Sequence, residues 1–126
     1  MELRGDLGKV RGLGSAKEGV AHWWAQRVTA VALVPLLLWF VAAVASLAGA
    51  DLAAVRAWIA SPVSAVLLVV LIVAVFHHAQ LGLQVVIEDY VHGEGLKVAG
   101  IMLVKFAAIL LAVSAIFAVL KIAFAG

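Results

Sequence analysis

Long uncharged stretches dominate the pattern of hydrophobic and polar positions along the chain. The first covers residues 28–50, the second 57–87 and the third 98–125. The third is interrupted only by Lys105 and Lys121. Each stretch is long enough, at about 1.5 Å per residue, to cross the roughly 30 Å hydrocarbon core of a bilayer as an α-helix. The pattern therefore predicts an all-α membrane protein with three transmembrane helices.

The polar residues that flank these stretches set the expected boundaries. We expect helices at about 26–48, 61–91 and 97–125. Residues 1–25 are then a cytoplasmic N-terminal segment, and the whole chain, 1–126, forms a single membrane anchor domain. We expect the three helices to form part of a hetero-oligomeric helix bundle.

Composition agrees with a chain that lies mostly in lipid. Of 126 residues, 67% are hydrophobic and only 13% are charged, and the mean hydropathy is +1.21, far outside the range of soluble domains. The net charge is +2, and the basic residues are scattered rather than clustered into a surface that could bind nucleic acid. The chain has no cysteine, so it supplies no thiolate to an iron–sulfur cluster.

The distribution of lysine and arginine predicts the orientation. The basic residues up to the mouth of the first predicted helix are Arg4, Lys9, Arg11, Lys17 and Arg27. The first loop, 51–60, contains only Arg56. Because cytoplasmic flanks carry the excess of positive charge, we expect a cytoplasmic N-terminus and an external first loop. The turn at 88–97 then lies on the cytoplasmic side.

Two adjacent histidines, His77 and His78, lie deep in the second predicted helix. By helical rise, His78 is about 18 Å from Tyr90, near the middle of the bilayer. Imidazole is a good axial ligand for haem iron, which is our leading interpretation. A hydrogen bond to a neighbouring helix, with no cofactor, is the alternative.

The residues that share a helical stripe with His78 favour the haem interpretation. Gly82 and Asp89 fall on this stripe, whereas His77 points about 100° away and is the weaker candidate ligand. Gly82 removes a side chain where a flat macrocycle would approach the helix. Ordinary close contact between two helices explains this glycine equally well.

Other polar residues have both a functional and an ordinary interpretation. Tyr90 could donate a hydrogen bond to a quinone carbonyl or simply anchor the interface. Asp89 could orient Tyr90 or be a solvated carboxylate. Arg27 suits a carboxylate such as a propionate, or serves as a topology anchor. For Lys105 we expect a side chain that extends its ammonium back to the interface.

Two segments carry a resemblance to a known family. The positions that carry it are His78, Gly82, Asp89 and Tyr90 in the run HAQLGLQVVIEDYV, and Gly19, Val20, Arg27 and Thr29 near the first helix. In this order they resemble the succinate dehydrogenase hydrophobic membrane anchor family, over nearly the whole chain. Two departures are the additional His77 and the presence of Gln80 where the family can have an aromatic residue.

The resemblance implies a role for four side chains. It implies that His78 is an axial ligand of haem b, with the opposite ligand from a cytochrome b556-type membrane subunit. It implies that Tyr90 donates a hydrogen bond to ubiquinone, that Asp89 supports this site and that Arg27 lies near the haem propionates. The doubled histidine leaves His77 as the alternative ligand.

The same resemblance implies partners and a location. The partners are the cytochrome subunit, an iron–sulfur subunit, a flavoprotein subunit and membrane lipid, in a multi-pass assembly of the bacterial inner membrane. The chain then helps pass electrons from succinate to ubiquinone. Alternatives are an anchor of a quinol:fumarate reductase, a stand-alone transmembrane cytochrome and a non-redox helix-bundle scaffold.

Overall fold

The computed structural model describes residues 13–125, which form four helices and no strand. The helices are α1 (Leu13–Ser46), α2 (Leu52–Ala60), α3 (Pro62–Tyr90) and α4 (Glu94–Phe124). Three of them, α1 from Gly19 onward, α3 and α4, are long and apolar enough to cross a membrane. The predicted class, an all-α membrane protein with three spanning helices, is confirmed.

Helix α1 begins much earlier than the expected residue 26. It starts at Leu13 and continues without a break to Ser46. The absence of charge marked the part of the helix suited to lipid, but charged residues also form helices readily, so charge alone did not reveal its start. Residues 1–12 of the predicted N-terminal segment lie outside the described residues.

The segment 51–60, expected to be a loop, contains the short helix α2. Its external location stays a prediction. The carboxylate of Asp51 accepts a hydrogen bond from the backbone N–H of Ala54 at 2.8 Å, which caps the helix N-terminus. The indole of Trp58 stacks on that of Trp39, with ring centroids 5.7 Å apart. Between α1 and α2, Gly49 has a φ of 81°, which favours glycine.

Helices α3 and α4 form an antiparallel pair close to the expected ranges of 61–91 and 97–125. Pro62 opens α3, where its missing N–H costs no hydrogen bond. Helix α4 starts at Glu94 rather than near 97, after a short turn. Close to this turn, Gly100 packs against Ile87: a Cβ at position 100 would lie 3.5 Å from the Ile87 side chain, which is ordinary van der Waals contact.

Helix α3 is the centre of the arrangement, because it packs against α1 on one side and α4 on the other. Within the described residues, α1 and α4 do not pack against each other. The apolar core lies in the half of α3 that is remote from Tyr90 and consists of Leu33, Leu36, Leu71 and Ala74. The half nearer Tyr90 holds the polar side chains, so the candidate site lies there.

Candidate functional site

A polar stripe on α1 faces the polar half of α3. His22, Gln26 and Thr29 recur at steps of four and three residues, which places them on one side of α1. All three are half-buried. Two of them contact α3 directly: Thr29 at His78 and Gln26 at Gly82. The stripe fixes the depth at which the two helices meet.

The imidazole of His78 is held by a hydrogen bond between helices. Its Nδ1 lies 2.9 Å from the Thr29 hydroxyl oxygen. That hydroxyl donates its single proton to the carbonyl oxygen of Ala25 at 2.7 Å, with the carbonyl oxygen of Gln26 further away at 3.1 Å. The hydroxyl oxygen therefore accepts from Nδ1–H. A histidine protonated on Nδ1 keeps a lone pair on Nε2, the atom that would bind a metal.

His77 has a different environment. Its side chain is exposed, makes no hydrogen bond to a described residue, and points into a cleft beside Gln80 and Lys105. The two neighbouring imidazoles therefore differ in what orients them. Only the ring of His78 is fixed by a partner on another helix.

Gly82 lies one turn from His78, on the side of α3 that meets α1. A Cβ added there would have the Gln26 amide nitrogen as its nearest neighbour, at 3.8 Å, which is ordinary van der Waals contact. Of the two explanations offered for this glycine, the geometry favours contact between helices. The Gln26 side chain of α1 occupies the space beside Gly82.

Asp89 and Tyr90 end α3 and are exposed, with Tyr90 retaining 75% of its accessible surface. Neither side chain makes a hydrogen bond or ion pair to a described residue. The structure therefore does not bring Asp89 to Tyr90 or to Arg27. The phenol and carboxylate are both free to meet a molecule or a subunit outside this chain.

Arg27 is not at the mouth of α1, as the sequence indicated, but well inside it. Its guanidinium lies over the ring of Trp23, 5.1 Å from the centroid, and is exposed. Because Arg27 is two residues before Thr29, it points roughly 160° away from the side that meets His78. Its neighbour Gln26 is level with Gly82, so Arg27 lies about two turns deeper than Tyr90.

A second group of polar residues lies on another side of α3, and sequence reasoning did not group them. They line a cleft of about 530 Å³, here called the polar cleft; its polar side chains are His22, His77, Gln80, Gln84, Glu88 and Lys105. Three of them are spaced four residues apart on α3, a signal that was readable from the sequence. Lys105 points into this cleft beside His77 and Gln80.

Within the part of the chain that the structure describes, no three His, Cys, Asp or Glu side chains converge to hold a bare metal ion. A haem iron makes a smaller demand, since the macrocycle supplies four ligands and one helix supplies a single imidazole. The neutral imidazole of His78, with its Nδ1–H held by Thr29, has a lone pair on Nε2 and meets that demand. The donor set therefore fits a haem shared with another subunit.

These observations define a three-helix membrane subunit with one oriented deep histidine. The model of the family described as "succinate dehydrogenase/fumarate reductase transmembrane subunit" matches residues 1–120. The chain belongs to this family. It is a multi-pass protein of the bacterial inner membrane.

Curated relatives agree with this assignment. The chain is 35% identical over 118 residues to a succinate dehydrogenase hydrophobic membrane anchor subunit of Rickettsia bellii, covering 94% of each chain. It is 36% identical over 95 residues to the protein of the same name from Paracoccus denitrificans, covering 75% of this chain and 74% of the relative. A succinate dehydrogenase membrane anchor subunit of Reclinomonas americana is 31% identical over 96 residues, covering 74% and 80%. No solved structure matches significantly.

Proposed function

We propose that this chain is the hydrophobic membrane anchor of a succinate dehydrogenase and holds haem b jointly with a cytochrome b556-type membrane subunit. The relatives named as anchor subunits of that enzyme support the assembly. The haem assignment rests on the position of His78, about 18 Å from Tyr90 along α3, with its ring held through Nδ1 by a 2.9 Å hydrogen bond to Thr29 Oγ1. The alternative without a cofactor predicts the same bond. This bond leaves Nε2 as the free donor atom, and a second chain supplies the opposite ligand.

The residues of this chain have separable tasks toward the haem. When bound, the haem supplies a one-electron redox centre within the membrane. His78 donates Nε2 to the iron, and Thr29 keeps its ring in one orientation. Arg27 offers a guanidinium to a haem propionate. It lies only two residues before Thr29, the partner of His78, and it has no carboxylate partner among the described residues. Because Arg27 points away from α3, the propionate that it meets would lie on the side of α1 that faces the other subunit.

The quinone-binding role belongs to the end of α3. The exposed phenol of Tyr90 donates a hydrogen bond to a ubiquinone carbonyl, and Asp89 supports the site from the neighbouring position. The basic residues of the N-terminal segment support a cytoplasmic location for this end and for the N-terminus. Ubiquinone takes up two electrons and two protons there, and water at the membrane surface supplies the protons.

Succinate oxidation itself takes place elsewhere. The flavoprotein partner oxidises succinate to fumarate, and the iron–sulfur partner carries the electrons to the quinone. This chain contributes the membrane attachment and part of the wall of the quinone site. Its lack of cysteine agrees with a cluster held entirely by a partner.

Purification of the tagged chain from its native membrane tests this proposal. We expect a flavoprotein and an iron–sulfur protein to co-purify, a haem Soret band, and succinate-dependent reduction of ubiquinone. A non-redox scaffold would give no Soret band. An anchor of a quinol:fumarate reductase, the alternative that the family description keeps open, would co-purify with menaquinone and favour fumarate reduction.

Replacement of Tyr90 by phenylalanine tests the quinone site. Loss of one hydrogen-bond donor costs about 1 kcal/mol, so we expect kcat/KM for ubiquinone to fall roughly five- to tenfold with the haem spectrum unchanged. Glu94→Gln, on the same turn, is the matched control and should leave kcat/KM unchanged. Equal kinetics for Tyr90→Phe and the wild-type enzyme would remove Tyr90 from the site.

A further inference from the structure

A ladder of hydrogen bonds runs along α3 from its surface end into the membrane. The side-chain NH₂ of Gln80 donates to the side-chain oxygen Oε1 of Gln84 at 3.1 Å. The side-chain NH₂ of Gln84 donates to the Glu88 carboxylate at 2.9 Å. Glu88 and Gln84 belong to the end of α3 near Tyr90, whereas Gln80 is buried and lies about 15 Å from Tyr90 along the helix axis. Polar groups at such depth are costly and require hydrogen-bond partners.

The ladder forms one wall of the polar cleft, and the other walls are also polar. His22 of α1 and Lys105 of α4 face it from the two sides, and His77 lies at its inner end. In the described part of the chain, no carboxylate lies within salt-bridge distance of the Lys105 ammonium. An ammonium group without an ionic partner at this depth requires water or other polar groups around it.

Two polar atoms of α1 are buried near the α1–α3 contact. His22 Nε2 and Gln26 Oε1 are fully buried and have no hydrogen-bond partner among the described residues. Buried polar atoms in proteins are nearly always paired, and ordered water supplies the pairing where no side chain does. Other atoms of the His22 imidazole line the polar cleft, whereas its Nε2 and the Gln26 Oε1 are too buried for water in the cleft to reach them.

We propose that the polar cleft is a water-filled inlet that connects the Lys105 ammonium, at half membrane depth, with the aqueous phase at the Glu88 end. Its volume of about 530 Å³ has room for on the order of ten water molecules. The Gln80–Gln84–Glu88 ladder presents a continuous hydrogen-bonding surface from the mouth inward. The inlet does not depend on the haem assignment.

The inner limit of the water is set by the largely apolar groove that adjoins the polar cleft. Beyond His77, a groove of about 450 Å³ continues between α3 and α4; it shares His77, Gln80 and Lys105 with the polar cleft, and its other side chains, such as Phe76 and Ile109, are apolar. Away from the three shared residues it offers few hydrogen bonds, so water is not stable there. An acyl chain of a lipid suits that groove, whereas it would leave the polar atoms of the cleft unpaired.

Cysteine accessibility in the assembled complex tests the inlet directly. The chain contains no cysteine, so any label on it reports the introduced thiol alone. The variants Gln80→Cys and Gln84→Cys probe the cleft, and Leu83→Cys is the matched control at the same depth on the apolar side. The probe is a charged methanethiosulfonate added to the complex in lipid nanodiscs. It reacts with thiolates, so labelling requires both water and proton exchange at the side chain.

We expect the two cleft cysteines to react roughly tenfold or more faster than Leu83→Cys, because a charged reagent does not enter an apolar environment. Adding Gln84→Leu should slow the labelling of Gln80→Cys several-fold, since it interrupts the path. Equal rates at positions 80 and 83 would overturn the inlet and indicate that lipid or a partner helix fills the cleft. The haem spectrum of the same preparations tests the proposed function independently.

Discussion

One hydrogen bond distinguishes the two adjacent histidines of α3. His78 is oriented by the hydroxyl of Thr29, and His77 has no such partner among the described residues. The sequence predicted the depth and stripe of His78 from helical rise and periodicity alone. It could not predict the partner from local pattern, because Thr29 is on a different helix and its position depends on the packing of α1 against α3.

Replacement of Thr29 by valine tests the importance of that bond. Valine keeps the shape of the side chain but offers no acceptor to Nδ1–H, so the imidazole loses its fixed orientation. Losses of this kind lower metal affinity by about 10- to 100-fold, and we expect a reduced ratio of haem to chain with broadened absorption bands. The ratio is measured on the purified complex by the pyridine haemochrome assay.

Thr29→Ser is the matched control, since it retains the hydroxyl and should retain the haem. If the valine and serine variants bound haem equally well, the hydrogen bond would have no part in positioning His78. A loss of haem in both would indicate that the methyl group of Thr29 matters instead.

At the scale of the elements, the uncharged runs located the three spanning helices but not the full length of α1 or the existence of α2. Both omissions have one cause. The absence of charge marks the residues that lie in lipid, whereas helix formation also depends on capping residues and on contacts made in the folded protein. For α2 these are the Asp51 cap and the stacking of Trp58 on Trp39, and only the first is visible in the sequence.

The contact between α1 and α3 at Gly82 gives a prediction at this scale. A Cβ at this position makes only ordinary contact with Gln26, so Gly82→Ala should keep the stability of the complex within about 1 kcal/mol. Gly82→Leu overpacks the interface and should cost about 1–3 kcal/mol. Thermal denaturation of the purified complex, followed by haem absorbance, measures both.

The same pair of variants separates the two explanations of this glycine. Tolerance of alanine with loss of stability for leucine supports contact between helices. Equal damage by alanine and leucine would mean that a group from outside this chain, such as the edge of a macrocycle, lies against Gly82.

At the scale of the whole molecule, the chain is an incomplete bundle. Helix α3 contacts both α1 and α4, which do not contact each other in the described residues, and large apolar side chains remain exposed along all three spans. Lipid and partner subunits cover such surfaces in a membrane assembly. Membership of the succinate dehydrogenase/fumarate reductase transmembrane subunit family agrees with that requirement.

The polar residues show where sequence reasoning stopped. Those on the His78 stripe were predicted together, whereas the polar cleft depends on side chains from three helices and appears only in the assembled fold. Arg27 shows the same limit, since the run of uncharged residues placed it at a helix start. The pairing of α1 with α3 places it well inside the helix instead.

The haem spectrum of two histidine variants tests the central claim most directly. His78→Ala and His77→Ala are each expressed with all partner subunits, and the complex is isolated through a tag on the flavoprotein so that assembly is scored separately. Dithionite-reduced absorption bands of haem b are then recorded for each variant. We expect the bands to be lost or shifted in His78→Ala and unchanged in His77→Ala. Normal bands in His78→Ala together with their loss in His77→Ala would contradict the claim.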